Sequence, residues 1–201
     1  MHGKNPNLHG SAPDSASKAL LIIDMLVDFK AIGDAGIERR ALRVARNIAR
    51  LRERATSQGI PTVFVNDNAG RWQSDRQHIV EFARHKLQSK VAELLAPAAT
   101  DYFVIKAKHS GFFGTALELL LTHLGARTLI LTGATDVQCV LFTGIDAFIR
   151  DYSLYVPSDC LVTSNASSSR LATGMFKNVL HAHMTPSTRL SLRAERKRKP
   201  A

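Results

Sequence analysis

Cysteine is nearly absent from this chain. Only Cys139 and Cys160 occur in 201 residues, too few for a disulfide scaffold and in keeping with a reducing compartment. Missing too is any unbroken apolar run near the roughly 18 residues that would span a bilayer. The first 17 residues, Met1 to Ser17, lack the apolar centre of a secretory signal. A soluble cytoplasmic protein with no membrane partner is the expectation. Acidic residues are also in short supply, 17 against 27 lysines and arginines, which gives a formal charge of +10.

That charge invites a nucleic-acid reading, but its location argues otherwise. The tail Arg193 to Pro200 holds five cations and one anion without apolar periodicity, so we read it as a frayed end. The stretch Arg39 to Arg54 holds seven arginines, with Glu53 its one acid. Leu42, Ala45, Ile48 and Ala49 recur there at helical spacing, so the arginines read as the solvated face of an amphipathic helix. No recognition helix, zinc finger or aromatic RNA-binding motif accompanies them. Nucleic acid is therefore not expected as a partner.

What is present is a hydrophobic content of 45 %, enough for one domain with a sheet covered on both faces. Residues 1–17 are polar, contain Pro6 and Pro13, and read as a disordered leader. The ordered domain is expected over 18–189, followed by a basic tail over 190–201. Within the domain, strand and helix patterns alternate. Strands are expected at 19–24, 61–66, 102–106, 128–132, 153–157 and 183–185, with helices at 36–58, 80–95, 114–124, 137–150 and 167–181. Apolar strands separated by helices indicate a mainly parallel, doubly wound, three-layer α/β/α domain.

Such sheets bind ligands beyond the carboxyl ends of their strands, where strand order reverses. Three reactive residues fall at that edge: Asp24 ends the first strand, Lys106 ends the third, and Cys139 follows the fourth. Cys139 lies in the first turn of the expected helix over 137–150, where unpaired N–H groups and the helix dipole favour a thiolate. Asp24, leaving an apolar strand, would be partly desolvated and a usable base, with Lys106 as its counter-ion. Each also has an ordinary reading, as a packed thiol, a helix cap and a solvated strand end.

The segments Leu20 to Phe29, Val104 to Thr115 and Leu131 to Val140 resemble the three signature blocks of the isochorismatase-like cysteine hydrolases. The likeness extends from about Lys18 to Thr185. It implies a six-stranded parallel sheet between helices and an Asp-Lys-Cys triad on Asp24, Lys106 and Cys139. It also implies an oxyanion hole from the N–H groups of Thr135 and Cys139, beside a cis peptide between Ala134 and Thr135. On a small amide, the thiolate would attack the carbonyl, Asp24 would protonate the departing nitrogen, and water deprotonated by Asp24 would hydrolyse the thioester. No cofactor is called for.

Departures narrow the assignment. Leu26 stands where the family often has Gln, and Asp136 where it often has Thr. Nicotinamidases of the family hold a metal with an Asp-x-His pair. Here Asp67 is followed by Asn68 and Ala69, with His78 expected on an exposed helix position, so no metal is expected. Phe29, Phe112 and Trp72 are candidate substrate contacts, each also readable as core or surface. Arg71 is a candidate partner for a substrate carboxylate, or for a surface salt bridge. The function expected is hydrolysis of a C–N bond in a small amide, ureide or carbamoyl compound. The alternatives are acyl transfer by the same triad, or an idle family member serving as a binding or assembly subunit. The family resemblance further implies a homo-oligomer.

Overall fold

The computed structural model describes residues 15–32, 36–72, 75–86 and 89–193, apart from the side chains of Ile32 and Lys86. Residues 1–14 of the leader expected over 1–17, and residues 194–201 of the tail expected over 190–201, lie outside the described residues. Six parallel strands form one sheet in the order β3-β2-β1-β4-β5, with β6 also paired to β4. The strands are β1 (Lys18–Ile23), β2 (Thr62–Asp67), β3 (Tyr102–Lys106), β4 (Thr128–Ala134), β5 (Ser153–Tyr155) and β6 (Leu161–Val162). The helices are α1 (Phe29–Ile32), α2 (Ile37–Ser57), α3 (Arg76–Glu81), α4 (Lys90–Leu94), α5 (Leu117–Leu124), α6 (Cys139–Ile149) and α7 (Ala166–Gly174).

Side chains alternate across a strand, so the fully buried β1 feeds two cores. Leu20 and Ile22 join the core under α2 and α4, while Ala19, Leu21 and Ile23 join the one under α5, α6 and α7. This is the doubly wound α/β/α sandwich. Each buried Leu or Ile contributes about 1.5 to 3 kcal/mol relative to exposure. No described helix is long and apolar enough to cross a membrane.

Helix α2 buries Ile37, Ala41, Val44, Ala45, Ile48, Leu51 and Ala55 at three- and four-residue intervals. That stripe is rotated from the expected one, since Leu42 and Ala49 are only partly buried. The solvated arginine face needs a matching correction. Arg40 donates to Thr163 O at 2.9 Å and to Ser164 O at 3.1 Å. Arg52 donates to Ala96 O at 3.1 Å and pairs with Asp101, and Arg54 donates to Ser187 O and Leu190 O at 2.6 and 2.8 Å. These three arginines fasten distant segments to α2.

Other boundaries moved for local reasons. The single helix expected over 80–95 is α3, a π turn at Phe82–Lys86, and α4. Asp75 caps α3 at His78 N and Ser89 caps α4 at Ala92 N. The sixth strand is Leu161–Val162, and the expected 183–185 segment contributes one bridge, His183 to Tyr155. Order also extends past both expected domain limits: Ala16 N–H donates to Leu124 O at 2.7 Å, and Leu190 and Leu192 are buried.

Gly133 lets two strands of the sheet approach closely. It pairs with Ile23 in β1, has φ +118°, and a Cβ there would lie 2.0 Å from Ile23 O. Both conformation and space demand glycine. Gly133→Ala is therefore expected to destabilise the fold by at least about 2 to 3 kcal/mol, read as a lowered denaturation midpoint.

Candidate active site

Strand order reverses beside β1, whose neighbours β2 and β4 lead off in opposite directions. Above this point opens a cleft of about 940 Å³, lined by Asp24, Asp67, His109, Thr135 and Cys139 among others. Asp24 follows β1 with φ +48°, a left-handed turn that Asp tolerates better than most residues. Its N–H donates to Val65 O at 3.0 Å, and its Oδ1 accepts the Asp67 N–H at 2.7 Å. Leu26, at the expected departure, is buried. Its N–H donates to Asn66 Oδ1 at 3.1 Å and its carbonyl accepts from Asn66 Nδ2 at 3.3 Å, so Asn66 holds the loop that carries Asp24.

Lys106 ends β3, two strands from β1, a separation of about 9 to 10 Å that only a long side chain bridges. Its ammonium, on a residue 1 % exposed, lies 2.7 Å from Asp24 Oδ2 and 3.8 Å from Asp67 Oδ2, and donates to Cys139 Sγ at 3.4 Å. Cys139 is the first residue of α6, where its N–H has no carbonyl within the helix to bond. The structure thus brings together Asp24, Lys106 and Cys139.

Burial sets the charges. Desolvation pushes the Asp24 carboxyl up, against the pull of Lys106. Desolvation lowers the Lys106 ammonium, but Asp24, Cys139 and Asp67 together raise it above its ordinary value. The Cys139 thiol is pushed up to about 12, by burial first and then by the Asp24 carboxylate, with Lys106 opposing. The expected thiolate at the helix start is thereby corrected. The resting site holds a thiol beside an ion pair, and the sulfur must lose its proton as it reacts.

The peptide between Ala134 and Thr135 is cis, and both residues line the cleft beside Cys139. Asp136, at the other expected departure, is buried and accepts the Val137 N–H on Oδ1 at 3.0 Å. The three aromatic candidates do not line the cleft. Phe29 packs into the core under α2. Phe112 packs under α5 and α6, with the Arg150 guanidinium 4.9 Å from its ring. Trp72 is 83 % exposed, outside the cleft. The wall instead uses Phe82 and aliphatic side chains such as Leu26, Val27 and Ile79.

Asp67, His109 and Thr143 were not assigned roles by the motif. Asp67 faces Lys106 as a second carboxylate. His109 Nδ1 lies 3.6 Å from Cys139 Sγ. Thr143 Oγ1 donates to Cys139 O at 2.6 Å and accepts the Gly111 N–H at 2.9 Å, tying the loop after β3 to α6. His78, expected on an exposed helix position, is half-buried in the cleft wall with Nε2 2.6 Å from Arg71 Nη1. Among the described residues, no cluster of three His, Cys, Asp or Glu side chains has a metal-binding arrangement.

A sequence model of the Isochorismatase domain matches residues 18–187. An uncharacterized isochorismatase family protein, YaaI, of Bacillus subtilis (strain 168) is 37 % identical over 170 residues, covering 85 % of this chain and 94 % of its own. The crystal structure of N-carbamoylsarcosine amidase from Thermoplasma acidophilum aligns with a TM-score of 0.68 at 25 % identity, covering 87 % of this chain and 99 % of that one. The nicotinamidase SaPncA from Staphylococcus aureus aligns with a TM-score of 0.63 at 22 % identity over 84 % of this chain and 97 % of its own, a likeness of fold alone.

Proposed function

The chain belongs to the isochorismatase family of hydrolases, and from that premise we propose that it cleaves a C–N bond in a small amide, ureide or carbamoyl compound through a thioester on Cys139. The observation that carries this reading is the position of the Lys106 ammonium, 2.7 Å from Asp24 Oδ2 and 3.4 Å from Cys139 Sγ. One buried cation holds a base and a nucleophile in a single cluster. The likeness to N-carbamoylsarcosine amidase supports carbamoyl compounds as a substrate class.

The Cys139 proton passes to Asp24 as sulfur attacks the carbonyl carbon, since a thiol pushed up to about 12 does not ionise ahead of attack. The N–H groups of Thr135 and Cys139 receive the oxyanion at the start of α6. Asp24, whose burial raises its affinity for a proton, gives that proton to the departing nitrogen. Water then cleaves the thioester. A panel of small amides, ureides and carbamoyl compounds assayed for ammonia release tests the reading. At least one is expected to be turned over by the wild type and not by Cys139→Ser, whereas equal release from both proteins would overturn it.

A further inference from the structure

The sulfur has a second proton-handling neighbour that the Asp24–Lys106 pair leaves unused. His109 Nδ1 stands 3.6 Å from Cys139 Sγ. Its position is built rather than incidental. Thr143, itself on α6, clamps the loop two residues beyond His109 to the carbonyl of Cys139, and the imidazole rests against Phe142 with 5.4 Å between ring centroids. Ring and nucleophile are thus both referred to α6.

The two sides of the sulfur differ in their access to water. Asp24 is 5 % exposed, with Oδ1 taken by the Asp67 N–H and Oδ2 by Lys106. His109 is exposed and lines the open cleft. Water arriving from solvent meets the imidazole before it meets the carboxylate. We propose that His109 is a further catalytic residue, the base that activates water to hydrolyse the thioester, while Asp24 serves the first half of the reaction. This rests on Cys139 being the nucleophile.

The protons balance as follows. The amine leaves with the proton that Asp24 took from the thiol, so Asp24 is again a carboxylate paired with Lys106. As the water oxygen bonds to the thioester carbon, one water proton passes to Nδ1 of a ring carrying its hydrogen on Nε2. The tetrahedral intermediate then breaks its C–S bond, and the imidazolium returns that proton to Sγ across the 3.6 Å contact. A free thiol and a carboxylic acid result, and the acid loses its remaining proton to solvent. No oxidant or reductant takes part.

The probe is p-nitrophenyl acetate, whose leaving phenolate needs no proton, so acylation is separated from the donor role of Asp24. His109→Gln is expected to release the first equivalent of p-nitrophenolate as fast as the wild type, and then to turn over about 10² to 10⁴ times more slowly. Acetyl-Cys139 should accumulate in its intact mass spectrum, and free imidazole should speed deacylation of His109→Ala. An unchanged steady rate in both His109 variants overturns the proposal, as does a first-equivalent release slowed as much as turnover. Absence of acetyl-Cys139 from wild type and variants alike overturns the nucleophile reading and this one with it.

Discussion

Cys139→Ser is expected to retain its fold and lose turnover of every substrate that the wild type hydrolyses, by about 10⁴-fold or more, the scale seen when a covalent nucleophile is removed. The exchange replaces one atom on a half-buried side chain and leaves the Asp24–Lys106 pair in place, so stability should change by less than about 1 kcal/mol. The chemistry is less forgiving. An alkoxide is far harder to form than a thiolate, and Asp24 is a carboxylate base. Purified wild type and variant compared for ammonia release, with circular dichroism to show matching folds, supply the measurement. Residual turnover above about a tenth of wild type would mean that sulfur is not the attacking atom.

The strands were legible because a sheet covered on both faces leaves nearly continuous apolar runs. Tyr102–Lys106 falls where expected, and β1, β2 and β4 lie within two residues of expectation. Leu161–Val162 was not legible, for two residues pairing with the end of β4 carry no periodicity. The interruption of the 80–95 helix was hidden for another reason. A π turn keeps a helical apolar pattern while shifting its register; the cap at Asp75 marks the earlier start of α3, and the cap at Ser89 marks the restart at α4.

At the site, Asp24, Lys106 and Cys139 were readable because parallel topology sends strand ends to one edge, and each carries a reactive group. Phe29 and Phe112 show where that reasoning ends. A phenylalanine near a cleft and one beneath it have the same sequence, and here both lie beneath it. The role of His109 needed a tertiary fact, the Thr143 clamp between two segments 32 residues apart. Thiol ionisation was misjudged for a related reason. The helix start is visible in sequence, whereas the burial that outweighs it is not.

Asp24→Asn is expected to separate thiol reactivity from catalysis, moving the two in opposite directions. Hydrolysis should fall by about 10² to 10⁴, because asparagine neither takes the thiol proton nor gives one to the leaving nitrogen. Alkylation of Cys139 by iodoacetamide near neutral pH should become faster. The Asp24 carboxylate holds the thiol up, a negative neighbour opposing a negative product, and Lys106 pulls it down. Removing the first and keeping the second lowers the thiol from about 12. Each unit of fall raises the thiolate fraction about tenfold at a fixed pH below it. In the wild type the alkylation rate should rise with pH throughout the neutral range, while Cys160, fully buried and also pushed up to about 12, stays unlabelled in the folded protein. Lys106→Met supplies the opposite sign. It strips the thiolate of its cation, slows alkylation and leaves Asp24 uncompensated in a buried site, at a cost of about 3 to 5 kcal/mol of stability. Slower or unchanged alkylation in Asp24→Asn would mean that the carboxylate does not control the sulfur, and the proton path assigned to Asp24 would fail with it.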